Sequence, residues 1–236
     1  MRRDTLFYRI FQEFPELLFQ LTGESPPNAA EYRFNSVEVK EPTFRIDGVF
    51  EPPVLDGTGK MYLAEVQMQL DETLYERTFA ELFALFYRSR KLYSDWHCVM
   101  IYLSRSTEQK IILPYRALLE SEQVQIIYLD ELGNIRDLPL ITSLAVLPTV
   151  PPKKAPAEAR DIIARAKEQP QRCEAIVELV TRVMSYMFLD QSPQEIDKML
   201  DIQFEETRVY KDTYAKGKLD MVFNQLEQNC GQLSIE

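Results

Sequence analysis

The spacing of apolar residues first follows a helix. Leu6, Ile10, Phe14, Leu17, Leu18 and Leu21 recur at helical intervals behind Asp4, a plausible N-cap. Pro15 interrupts the run and predicts a break or kink, hence two short helices over 5–21. After Ser25-Pro26-Pro27-Asn28 the period shortens to that of strands, predicted over 32–39, 44–50 and 61–69. Pro52, Pro53, Gly57 and Gly59 make the connection before the last of these. The helical period returns over 74–93, where Phe79, Leu82, Phe83, Phe86 and Tyr87 form a broad apolar stripe. Residues 96–103 and 124–129 read as short buried strands, and 130–134 as a turn. Helix, three strands, helix and strand in this order predict an α/β fold on a mixed sheet flanked by helices.

Residues 150–156, Val-Pro-Pro-Lys-Lys-Ala-Pro, read as a linker. Beyond it the pattern is helical: Ile176, Val177, Val180, Val183, Met184 and Met187 share one face over 172–188. Ser192 and Pro193 have the order of a cap and first helical residue. The stretch 207–228 is polar with a thin apolar stripe. The expected division is a core over 1–148, a Pro-rich link over 149–156 and a helical C-terminal extension over 157–236.

Composition narrows the setting. With 45% apolar and 27% charged residues in 236, the chain suits a water-exposed globular protein. No apolar run approaches a membrane span, and Met1-Arg2-Arg3-Asp4 leads into an amphipathic segment rather than a signal peptide. Cys98, Cys173 and Cys230 are too scattered for a disulfide frame or structural zinc, and fit a reducing, cytoplasmic setting. The single histidine, His97, argues against His-based triads and reads as structural. A net charge of −10 opposes unspecific attraction to nucleic acid. Local basic clusters remain: Arg2, Arg3 and Arg9 at the start, and Arg88, Arg90 and Lys91 at the end of the 74–93 helix.

The chemistry centres on two acids. Asp47 stands in Phe44-Arg45-Ile46-Asp47-Gly48-Val49-Phe50, and Glu65 in Tyr62-Leu63-Ala64-Glu65-Val66-Gln67-Met68. Alternation sets Glu65 and Gln67 on one side of their strand, and sets Asp47 away from Phe44, Ile46 and Phe50. In a hairpin, Asp47, Glu65 and Gln67 converge, and such a donor set suits a hard cation, Mg²⁺ or Mn²⁺. Blander readings stand beside this one. Asp47 next to Gly48 can mark a bend or bulge, Arg77 can pair with Glu81 along its helix, and the aromatic stripe suits core better than base stacking.

The element order, Ile46-Asp47-Gly48, Glu65-Val66-Gln67, the helix start Leu74-Tyr75-Glu76-Arg77 and the opening with Asp4 and Phe7-Tyr8-Arg9-Ile10-Phe11 resemble the PD-(D/E)XK nuclease superfamily. Within it, residues 1–140 resemble the Rpn family of recombination-promoting nucleases and putative transposases. The resemblance implies a restriction-endonuclease-like αβββαβ core and a metal-dependent DNA endonuclease linked to recombination or mobile elements. Asp47 and Glu65 would ligate Mg²⁺ or Mn²⁺ with the Val66 carbonyl, Asp4 or Glu13 would add an acid from the first helix, and Arg77 would approach a phosphate. Two copies pairing to cut both strands would make a homodimer. Gln67 departs from the superfamily, which has Lys there; an amide only hydrogen-bonds, whereas Lys orients water and carries charge. That departure leaves the alternative of a nuclease-fold protein, weak or inactive as a catalyst, acting through protein partners.

Overall fold

The computed structural model describes residues 4–24, 26, 28–39 and 44–202. The side chains of Asp4 and Asp47 lie outside that description, as does the whole of the segment read as a polar helix over 207–228.

Pro15 does divide the first apolar run. Helix α1 covers Asp4–Glu13 and α2 covers Glu16–Thr22, which ends on Gly23 in the left-handed conformation. Five strands follow: β1 (Arg33–Val39), β2 (Phe44–Glu51), β3 (Lys60–Gln67), β4 (Asp95–Tyr102) and β5 (Val124–Tyr128). They form one sheet in the order β1-β2-β3-β4-β5. The first two pairings are antiparallel and the last two parallel. The fold is therefore α/β on a mixed open sheet. Helix α3 (Leu74–Ser89) joins β3 to β4, as a parallel pair requires a crossover. It ends four residues short of the expected limit at 93, because a turn at Ser89–Leu92 must deliver the chain into β4. Tyr93 is instead buried, donating a hydrogen bond to Glu51 at 2.6 Å.

Each sheet face has its own core. On one side α3 covers Val49, Met61, Leu63, Cys98, Met100 and Tyr102. On the other, α1 and α2 pack over Phe50, Tyr62, Ala64, Val99 and Ile101. This second core continues across residue 150. Helix α4 (Arg116–Leu119) packs on the α3 side, whereas α5 (Leu140–Val146), α6 (Ala155–Ala166), α7 (Pro170–Met187) and α8 (Pro193–Leu200) extend this second core. Ala159, Ile163, Val180, Met184 and Ile196 from the last three belong to the same buried cluster as Phe7 and Leu17. In the Pro-rich stretch read as a linker, Pro156 lies in the first turn of α6, where its missing N–H costs nothing. Ser192 caps α8 as its sequence predicts, in a reciprocal box with Glu195.

Candidate functional site

The pairing of β2 with β3 bears on where positions 47 and 65 stand. In the β2–β3 ladder Val49 faces Leu63 and Phe50 faces Tyr62. The same register sets Gly48 against Ala64, and a Cβ at Gly48 would lie only 2.6 Å from the Ala64 carbonyl oxygen. Continued one residue further, that register would set position 47 level with Glu65. The other edge of β2 is irregular at the same place: Asn35 faces Val49 but Val37 faces Ile46. Asp47 and Gly48 thus oppose a single residue of β1, which makes them a β-bulge. Bulges bend a strand locally and redirect a side chain, and they occur beside active sites. The bend expected from Gly48 and the site expected from Asp47 are therefore compatible.

Glu65 faces α3. Its side chain is 15% exposed, and its carboxylate accepts a hydrogen bond from Arg77 at 3.1 Å. Arg77 also lies 3.5 Å from Asp71. Asp71 is itself held in a turn, accepting from the Thr73 amide and hydroxyl at 2.9 and 2.8 Å. These bonds and Arg77 pull the Asp71 carboxyl below its ordinary range, against the opposing effect of partial burial. Arg77 thus pairs across elements with Glu65 and Asp71. Glu65 also makes itself felt at the buried Cys98 thiol, whose pKa burial raises first and the carboxylate raises further.

Gln67 is half-buried on the same strand and donates to the Gln69 carbonyl. Val66 turns to the other sheet face, against the main core. Glu13 is exposed at the end of α1, a helix packed on that other face, so the structure does not bring it to Glu65. Asp4 begins the same helix. His97 is buried in β4, with Nδ1 3.8 Å from Glu24. Burial lowers its pKa, and Glu24 works in the opposite direction.

A carboxylate on a sheet face lined by Leu63, Met100 and Cys98 calls for a positive partner, which Arg77 supplies here. Carboxylate, amide and carbonyl oxygens are donors of the class Mg²⁺ and Mn²⁺ prefer. Among the described residues no group of three His, Cys, Asp or Glu side chains is close enough to hold an ion.

Sequence reasoning missed what surrounds this row. Gln67 on β3 is level with Tyr102 on β4, and Tyr102 with Tyr128 on β5. Tyr128 and Tyr75 of α3 donate to the two oxygens of Glu108 at 2.5 and 2.6 Å. Gln109, 2% exposed, accepts the Tyr75 amide at 2.7 Å and caps a helix whose own N-cap residue makes no side-chain cap. The partner lies 34 residues away, so no local pattern announces it. Replacing Glu108 by Gln leaves an NH₂ facing one phenol, and is expected to cost about 1–2 kcal/mol. Urea denaturation should show it as a lowered midpoint with unchanged slope.

No curated protein and no solved structure matches this chain. A family described as a protein of unknown function (DUF2887) matches residues 3–200, across both the sheet and the helices behind it. The chain belongs to the DUF2887 family.

Proposed function

We propose that this protein is a metal-dependent DNA endonuclease with a restriction-endonuclease-like core of the PD-(D/E)XK type, as in the Rpn family. The observation that supports the reading is the β2–β3 register with Gly48 against Ala64, which, continued one step, would set position 47 level with Glu65 on the adjacent strand. The element order α1, β1–β3, α3, β4 supports it. Asp47 and Glu65 would hold Mg²⁺ or Mn²⁺, with the Val66 carbonyl completing the set. When bound, such an ion lowers the pKa of its water and neutralises charge growing on a scissile phosphate.

The chain's own groups supply the remainder. Glu65 is oriented by Arg77, and Arg77 is 44% exposed, so its guanidinium can meet a phosphate while Asp71 holds it from behind. The sheet face and α3 shield the buried side of the site. Gln67 can hydrogen-bond an attacking water but brings no positive charge. That neutrality, and the engagement of Gln67 with Gln69, favour a second reading: a nuclease-fold protein whose role is to bind a protein partner.

Incubating plasmid and linear DNA with Mg²⁺, Mn²⁺ or EDTA separates the two. Cutting is expected only with a divalent ion, and Asp47→Ala should slow it about a thousandfold, the scale of several kcal/mol of lost charge stabilisation. Cutting retained by Asp47→Ala refutes the assigned centre. No cutting by the unaltered protein favours the interaction reading.

A further inference from the structure

The site described above uses only the first turn of α3, yet the helix runs on for three more turns with an exposed outer face. Arg77, Ala80, Ala84, Tyr87 and Arg88 fall within an arc of about 100° at 3.6 residues per turn. Arg77, Ala80, Tyr87 and Arg88 are exposed, and Ala84 is half-exposed. Tyr87 is 77% exposed, one of the most exposed large side chains among the described residues. Arg90 and Lys91 follow at once, both exposed. Arg77 is balanced by Glu65 and Asp71 and Glu76 borders the stripe, but Arg88, Arg90 and Lys91 put three exposed cationic side chains within four residues at its far end, in a chain whose net charge is −10. The two alanines keep the middle of the stripe low, so an extended polymer can lie close to the helix.

We propose that the outer face of α3 is a track for the phosphodiester backbone of DNA leaving the Glu65 site. Arg88, Arg90 and Lys91 contact phosphates at its far end, and Tyr87 packs against a sugar or base beside them. The proposal rests on the nuclease reading and adds where the substrate lies. Charge complementarity commits it to a polyanion: three exposed cationic side chains gather within four residues of an acidic chain, at the end of a helix that begins at a candidate phosphate-cutting site. The dimensions agree. Eleven residues from Arg77 to Arg88 rise about 16 Å, and one strand of a duplex advances about 3.4 Å per nucleotide. The basic end thus meets the backbone about five nucleotides from the reacting phosphate.

The test is fluorescence anisotropy with a labelled DNA duplex about two turns long, in a Glu65→Gln background that binds without cutting. Replacing Arg88, Arg90 and Lys91 together by Gln is expected to weaken binding at least tenfold. It should also flatten the dependence of log K on log salt by about 2–3, close to one unit for each phosphate that is no longer neutralised. Tyr87→Ala alone, an exposed change that leaves the core untouched, is expected to weaken binding about fivefold or more, the lower range for an aromatic side chain stacked on a base. Lys153→Gln with Lys154→Gln, an exposed pair ahead of α6, serves as the charge control and should leave affinity unchanged. An unaltered salt slope in the triple variant, or equal losses in the control, overturns the track. DNA cutting that depends on Asp47 but ignores the stripe refutes only this inference, whereas absence of DNA binding by the unaltered protein refutes the nuclease reading with it.

Discussion

Raising the pH past about 10, the ordinary phenol value, is expected to unfold the protein in one cooperative step. Tyr62, Tyr75, Tyr93 and Tyr102 are each at most 4% exposed. Burial is the largest cause raising the pKa of each. Carboxylates add to it: Glu24 accepts from Tyr62, Glu108 from Tyr75 and Glu51 from Tyr93. In the unfolded chain these phenols ionise near pH 10, while in the native state they keep their protons. Below pH 10 both states hold the same protons at these groups, and stability is unaffected. Above it the native state binds more protons than the unfolded state, so stability falls as pH rises. Four such groups cost together about 5 kcal/mol per pH unit. A total stability of about 5–15 kcal/mol is then exhausted within about one to three units. Circular dichroism followed together with phenolate absorbance checks this. The buried phenols should ionise together, as the helical signal is lost. Stepwise ionisation of all tyrosines with an intact helical signal would contradict the assignment.

Gly48→Ala is expected to damage both the fold and the site. The added methyl would meet a backbone atom, the Ala64 carbonyl oxygen, at 2.6 Å and the Phe34 ring at 3.4 Å. The ring can shift a little, but the carbonyl can move only with β3 itself. Relieving the clash means spreading β2 from β3 at their closest approach, with a cost of about 3 kcal/mol. The same displacement separates position 47 from Glu65. On the nuclease reading proposed above, a shift of about 1 Å at the acidic pair reduces rate on the order of a hundredfold, so cleavage should fall well beyond the fraction of unfolded protein. A urea titration gives the first quantity and cleavage by the folded fraction the second. Wild-type stability in this variant would show that the strands can part freely at this point, and would remove the argument for a close-set acidic pair.

Glycine was visible next to Asp47 in the sequence, but its reason was not. The residue pattern admits a bend, a bulge or a site; only the pairing on both edges of β2 shows that Asp47 and Gly48 form an extra step opposite β1 while Gly48 touches β3. Arg77 is a similar case. Spacing along the helix offers Glu81 as its partner, whereas the fold supplies Glu65 and Asp71, because α3 begins over the strand that carries Glu65.

The local period of the chain determined the elements. Strand limits came within two residues, the break at Pro15 and the cap at Ser192 fell where expected, and the mixed α/β order followed. Each of these depends on neighbours a few positions apart, where backbone sterics and side-chain alternation act. Tertiary structure alone decided the rest. It joined α6–α8 to the core of α1 and α2 across the Pro-rich segment, because an amphipathic helix buries its face wherever apolar surface is open. It capped α3 with Gln109 and gathered Tyr75, Tyr102 and Tyr128 around Glu108. These contacts join residues far apart in the chain, and no periodicity of the sequence carries the distance between them.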